Sequence, residues 1–443
     1  MGVQGMTTAD HSTGAALCDL DDNELLDQLQ RSAFHYFQNN FNPANGLIAD
    51  TTRVGAPASI AVAGFALAAY PIAVERGWMT RAEAVARTLA ALRFFWSAPQ
   101  RADGNAVGYK GFYYHFLDMQ TGSRVWQSEL SPVDTAFLIA GILTMSAYCT
   151  LDSPDEIEVR ELADSIYRRV DWRWMQNGQS TVWQGWKPES GYLHYGWEGY
   201  SEAMLLYVVG MASPTFPLSM DSYNFWTSTY QWENLYGYDF LYAGPLFIHQ
   251  YSHAWLDLRT IQDRFMRERR SDYFENSRRA VLIQRQYAQR NPHEFEGYGE
   301  NCWALSATEG PGRKTQKVRG HMRRFFGYVA RGVPYGPDDG TLSPPSILGS
   351  IPFAPELVLA AIRHLCRQYP SVADGCGIRN GFNPTLVEGD SQYWVSPTYL
   401  GLDQGIILLM VENHRSQLVW KLMRQSPYIQ SGLHHAGFKG GWL

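Results

Sequence analysis

The stretch "LHYGWEGYSEAMLLY", residues 193–207, places Glu198 and Glu202 four residues apart, just where a polar aromatic segment becomes strongly apolar. On one helix they would stack on one face and repel each other. A helix start that favours negative charge accounts for Glu198, but not for Glu202, which precedes "AMLLYVVGM" and is expected to lie deep. A buried carboxyl has a raised pKa, and that suits a general acid.

Two further carboxylates stand in the same kind of place. In "RVWQSELSPVDTAF" (124–137), Asp134 follows Ser131 and Pro132, an N-cap and first-position pair, with Glu129 in the loop just upstream. In "DSQYWVSPTYLGLDQGIILLM" (390–410), Asp403 opens another apolar helix. Asp134 alone reads as a first-turn acid suited to the helix dipole. Three carboxylates at three apolar helix mouths point instead to one acidic rim.

Other groupings carry less. His249 and His253 in "FIHQYSHAWLDL" have i,i+4 spacing, but no HExxH glutamate or third ligand accompanies them, so core or ligand-facing histidines are expected. "EGYGENCWALSATEGPG" (296–312) offers Glu300, Asn301, Trp303 and Glu309. Asp338-Asp339-Gly340 reads as a turn that could line a rim. No GxSxG elbow, P-loop or post-strand GxGxxG occurs, so no cofactor and no metal are expected. Carboxylates among 15 Trp, 26 Tyr and 21 Phe point to glycoside chemistry, with flat rings as platforms for sugars.

The elements that must position these groups are helical. "PASIAVAGFALAAYPIAVERG" (57–77), "SPVDTAFLIAGILTMSAYC" (131–149) and "SEAMLLYVVGMA" (201–212) are apolar on nearly every face. Amphipathic segments at 21–41, 80–96 and 153–170 alternate with them. An all-apolar helix is buried and an amphipathic one covers it, so the alternation predicts an inner ring wrapped by an outer ring, an (α/α)6 barrel. Helices are also expected over 253–268, 272–291, 354–369 and 405–425, with one or two more between 304 and 352. Gly- and aromatic-rich loops at 99–129, 172–200, 213–247, 293–315 and 330–352 are long enough to be functional. No linker divides the chain, so residues 21–443 are expected to form a single catalytic domain behind a mobile tail of residues 1–20.

The net charge of −6, without a Lys/Arg run, argues against a nucleic-acid groove. No apolar run reaches membrane-spanning length. Five scattered cysteines without a CxxC pair suggest free thiols. With no signal-peptide pattern in the sequence as it stands, they point to the cytoplasm, or to the periplasm if a signal was removed.

The blocks "GFYYHFLDMQTGSRVWQSELSPVDTAFLIAGIL", "GWEGYSEAMLLYVVGMASPTFPL", "PLFIHQYSHAWLDLR", "DYFENSRRAVLIQRQYA", "GYGENCWALSATEGPG", "PYGPDDGTLSPPS" and "YLGLDQGIILLMVENHR" resemble, in order, the bacterial glucoamylase-like family. That family includes endo-β-1,2-glucanases and the processing domain of cyclic β-1,2-glucan synthases. The resemblance covers about residues 23–425 and implies the (α/α)6 barrel and inverting, internal hydrolysis of β-1,2-glucan to sophorooligosaccharides; a monomer is expected. It implies Glu202 as general acid, Asp403 as base with Asp390 as its rival, and Asp134 as a further essential carboxylate. It implies proton transfer through a substrate hydroxyl or water chain. The expected substrate-binding residues are Arg53, Glu129, Trp197, Glu198, His253, Trp303, Asp339 and Tyr399. Asp50 and Arg53 remain in the variant stretch "GLIADTTR" (46–53), and Glu309 stands where Asp is expected. Transglycosylation on the same glucan and non-catalytic glucan binding are the alternatives.

Overall fold

Inner helices of this chain are recognisable by burial on every side. In the computed structural model, which describes residues 17–374, 377–388 and 392–443, helix α1 (Asp22–Asn39) begins behind Asp21, whose carboxylate accepts from Glu24 N. The inner helix α2 (Ile60–Glu75) is buried from Ile60 to Ala73 without a break. Then follow α3 (Arg81–Ser97), α4 (Pro132–Tyr148), α5 (Pro154–Arg169) and α6 (Ala203–Met211). Every residue of α6 is buried, as is nearly all of α4. The ring continues with α7 (Met220–Ser228), α8 (Tyr251–Trp255), α9 (Arg264–Glu268), α10 (Tyr273–Arg290), α11 (Pro344–Leu348), α12 (Pro355–Gln368) and α13 (Gly401–Arg415). Two further helices, α14 (Leu418–Gln425) and α15 (Pro427–His435), end the chain.

Helices α2, α4, α6, α8, α11 and α13 form the inner ring, and α13 packs back against α2 to close it. Helices α1, α3, α5, α7, α10 and α12 form the outer layer. This is the (α/α)6 barrel that the alternation of apolar and amphipathic segments predicts. No helix among the described residues is long and apolar enough to cross a membrane.

Two segments differ from the expected helices. The 253–268 stretch breaks into α8 and α9, because Asp257 turns its carboxylate to Arg259 (2.7 Å) and Asp263 caps a new helix at Met266 N (2.8 Å). The 405–425 stretch is interrupted at Gln417, whose φ of 62° ends α13 before α14 starts. The expected loop 213–247 contains α7 and the hairpin Trp232–Leu235/Tyr238–Leu241. Between 304 and 352 the hairpin Lys314–Val318/His321–Phe325 precedes the short α11. Residues 1–16 of the expected tail lie outside the described residues, whereas Leu17 is already buried in the core.

Short pairings tie the loops to the starts of inner helices. Ala58–Ser59, leading into α2, pairs antiparallel with Phe116–Leu117. Ile60 N donates to His115 O (3.2 Å), and Gly401 N, at the start of α13, donates to Asp50 O (2.8 Å). Asp50 and His115 are thereby held beside the same helix mouths.

Helices α2 and α4 cross where each has a glycine. A Cβ at Gly141 would lie 2.0 Å from the Gly64 carbonyl oxygen, and one at Gly64 would lie 2.3 Å from Phe137 O. Gly141→Ala must therefore push two inner helices apart, at a cost of about 1–3 kcal/mol. A lowered melting temperature in thermal unfolding is expected, and an unchanged one would contradict this close crossing.

Candidate active site

The mouth of the inner ring opens into a cavity of about 690 Å³. Asp50, Glu129, Asp134, Glu202 and Glu309 line it, and Arg53 and His115 are the cationic or potentially cationic side chains on its wall among the described residues. Phe116, Trp126, Trp197, Tyr251 and Tyr328 add aromatic surface.

Asp134 is fixed by local helix chemistry. Its N–H donates to Ser131 Oγ (3.2 Å), and Ser131 Oγ–H donates back to Asp134 Oδ2 (2.5 Å), a reciprocal cap at the start of α4. His115 lies between two carboxylates, with Nδ1 at 3.0 Å from Glu129 Oε1 and Nε2 at 3.6 Å from Asp134 Oδ2. Burial alone would lower its pKa. The charges of Asp134 and Glu129, with Asp50 adding to them, overcome that and raise it to about 9. Glu129 responds in the opposite sense: burial opposes ionisation, but the His115 hydrogen bond and charge bring its pKa below the usual value.

Glu202 is the residue immediately before α6 and retains a window of solvent-accessible surface in the cavity. Burial, followed by the Asp134 charge, raises its pKa to about 7. Asp50 is raised to about 6, first by burial and then by Asp134 against the opposing pull of His115. Asp403 is raised to about 7 by burial, with Asp50 adding to it, although Asn380 Nδ2 donates to its Oδ2 at 2.5 Å. The phenols of Tyr251 and Tyr328 are held neutral first by burial, and both also feel Asp403, Glu202 and Asp134. The carboxylates therefore share one electrostatic space.

Of the residues expected to act, Glu202, Asp134, Arg53, Glu129 and Trp197 meet on the cavity wall. Asp403 is set back, 5% exposed, while its neighbours Leu400 and Leu402 face the cavity. Asp390 lies outside the described residues. Glu198 is exposed and off the wall, because Gly199, with φ of 71°, separates it from α6 and no helix spans both glutamates. His253 sits in the core, with Nε2 at 3.1 Å from Ser277 Oγ and its pKa lowered to about 3 by burial and by His249. His249 is likewise core, its Nε2 at 3.0 Å from Ala243 O. Trp303 has no exposed surface. Asp339 forms a fully buried bidentate pair with Arg331, at 2.7 and 2.8 Å. The Tyr399 hydroxyl donates to Asp374 Oδ2 (2.5 Å) and its ring lies under Arg379, so it supports the loop rather than the cavity.

Asp50 and His115 were not among the residues expected to act. Both sit on loops without helical periodicity, and "ADTTR" was the only signal for Asp50. Glu309 pairs with Arg53 across the cavity and accepts from Ser396 Oγ and Thr398 Oγ1, both at 2.7 Å. His115, Glu129 and Asp134 have donor atoms within 4.8 Å of one another, a metal-compatible grouping. Each imidazole nitrogen faces a carboxylate, Nδ1 that of Glu129 and Nε2 that of Asp134.

A stability signature follows from Glu202. Its carboxyl ordinarily titrates near 4.5 and is raised to about 7 in the fold. The fold therefore favours the protonated form, and stability is lost as pH rises from 4.5 through 7. Glu202→Gln should melt higher than wild type at pH 8 and equally near pH 4. Equal melting at both would show that Glu202 is not desolvated.

Comparison with known proteins agrees with this architecture. The family model Glycoamylase, described as "Putative glucoamylase", matches residues 194–427. A crystal structure of a protein of the same description from Bacteroides uniformis is 31% identical, with a TM-score of 0.84 over 96% of this chain and 99% of that one. An endo-β-1,2-glucanase from Chitinophaga pinensis, solved with sophorotriose and glucose, is 26% identical, with a TM-score of 0.83 over 96% of this chain and 100% of that one. An exo β-1,2-glucooligosaccharide sophorohydrolase (non-reducing end) from Parabacteroides distasonis is 27% identical over 95% of this chain. The chain spans 59% of the length of that curated relative. With the barrel and its acidic mouth in place, the chain belongs to the Glycoamylase family.

Proposed function

We propose that this protein is a glycoside hydrolase that cleaves β-1,2-glucan internally, with inversion, and releases sophorooligosaccharides; residues 21–443 are its catalytic unit. The observation that carries the reading is Glu202, a carboxyl raised to about 7 on the wall of a cavity that Asp50 and Asp134 also line. The names of the Chitinophaga and Parabacteroides relatives supply the linkage.

In the proposed reaction Glu202 gives its proton to the glycosidic oxygen as the bond to C1 breaks. Water attacks C1 from the opposite face, and its proton passes to a carboxylate base. Asp403 is the base of this proposal. Set back behind Leu400 and Leu402, it acts through an intervening water or substrate hydroxyl. Asp50 is the rival, because it faces the cavity directly. Asp134, 3.6 Å from His115 and on the same cavity wall, places its carboxyl oxygens near the carbon at which the oxocarbenium ion develops.

Linear β-1,2-glucan should be depolymerised, with proton NMR showing the α-anomer as first product. The pH profile should be a narrow bell. Its acid limb comes from the base, about 6 for Asp50 or about 7 for Asp403, and its alkaline limb from Glu202 near 7. The two limbs belong to the coupled set rather than to single residues. Glu202→Gln should lose about 10²–10⁴-fold in kcat together with the alkaline limb. Comparing Asp403→Asn with Asp50→Asn assigns the acid limb. Glucan left intact by wild type, or full activity in Glu202→Gln, would refute the proposal.

A further inference from the structure

A second cavity, of about 620 Å³, adjoins the first. The two share Thr51, Arg53, Gly55, Ala56, Pro57 and Trp126, so the 51–57 segment is their common wall. That segment is anchored at both ends. Thr52 N donates to Tyr399 O (3.1 Å), and Asp50 N donates to Pro57 O (2.7 Å). Arg53 is tied across the first cavity to Glu309.

Trp126 stands where the two spaces meet. It is 70% exposed, the larger part of an indole given to water. Its φ is 57° and that of Gln127 is 48°, two consecutive non-glycine residues in the left-handed region. Such conformations persist only where the surroundings impose them, and they cluster at ligand clamps. Here Val125 N donates to Phe116 O (3.1 Å), Ser128 N donates to Val125 O (3.0 Å), and Arg124 Nε donates to Ser128 O (2.6 Å). The turn thus holds the indole outward. Its ring lies 5.2 Å from that of Phe116, which in turn stacks on His115 at 3.9 Å. An aromatic row therefore runs from the second cavity to the carboxylates of the first.

The rest of its lining is polar: Asn40, Gln120 and Thr52 contribute neutral side chains and Asp118 and Arg53 charged ones, while the Asn42 amide is already engaged by Met119 O (2.6 Å) and Ala44 N (2.9 Å). Asp118 accepts from Gln120 N (3.0 Å) and Thr121 N (2.8 Å) and Arg53 is paired with Glu309, so the charges are engaged within the protein, and the neutral donors and acceptors beside an exposed aromatic face suit an uncharged, hydroxyl-rich ring. The volume is within the range of about 300–1,000 Å³ usual for small-ligand sites.

We propose that the second cavity is a distal subsite for the glucan, with Trp126 stacking on a glucosyl ring as the chain passes from the cleavage cavity around the 51–57 segment. The subsite rests on the glucan reading above and deepens it: the protein grips a chain longer than the central cavity holds, and catalytic efficiency rises with chain length.

The test compares wild type, Trp126→Ala, Trp126→Phe and Gln120→Ala on gluco-oligosaccharides of three to ten units and on polymer, in parallel β-1,2-, β-1,3- and β-1,4-linked series. For Trp126→Ala, kcat/KM on the longest chains should fall about three- to tenfold, mainly through KM. The fall on the trisaccharide should be several-fold smaller. Trp126→Phe should recover most of the loss, and Gln120→Ala should show the same length dependence more weakly. A loss equal at all lengths, or none at any, overturns the subsite. If wild type turns over a different linkage, the β-1,2 reading fails, but the length comparison on the cleaved series still decides the subsite. If wild type cleaves none, tryptophan-fluorescence titration with the same oligosaccharides decides it: affinity that rises with length in wild type but not in Trp126→Ala supports it, and equal length dependence in both overturns it.

Discussion

Repulsion among carboxylates in an enclosed space is the constraint on which this structure turns. Asp50, Asp134, Glu202 and Asp403 meet at the mouth of the inner ring and cannot all be ionised there at ordinary cost. His115, between Glu129 and Asp134, supplies a compensating charge on one side only. On the other side Glu202 and Asp403 are left to rise to about 7. The asymmetry divides the site into a part that stays charged and a part that holds protons near neutrality. Acid-base cleavage needs that division.

The barrel supplies the enclosure. Inner helices apolar on every face bring their first turns together, and the α2–α4 crossing requires glycine at positions 64 and 141. The loops add the rest. Asp50 and His115 reach the mouth because strand-like pairings pin their backbones to the starts of α2 and α13. The buried Arg331–Asp339 pair plays a related part, bracing the 326–341 loop from within.

Much of this was legible in the sequence where periodicity speaks. Alternating apolar and amphipathic segments revealed the two rings, and carboxylates at apolar helix starts revealed Glu202, Asp134 and the neighbourhood of Asp403. Depth was not legible. His253, Trp303 and Asp339 are polar or aromatic residues near rim loops, yet each is packed into the interior, where neighbours distant in sequence satisfy or enclose it. Glu198 shows the opposite error, since a single glycine in the left-handed region moved the helix start past it. Asp50 is legible only as part of the "ADTTR" stretch and His115 not at all, because their positions depend on contacts with segments tens to hundreds of residues away, for which no local pattern exists.

The central claim is that Glu202 holds its proton to near neutral pH before any substrate binds. Infrared difference spectroscopy of the ligand-free protein across a pH titration reads this directly, with Glu202→Gln assigning the band. A protonated-carboxyl band that disappears with a midpoint near 7 and is absent in the variant is the predicted result. A Glu202 band titrating near 4.5, the ordinary value for glutamate, would contradict the account.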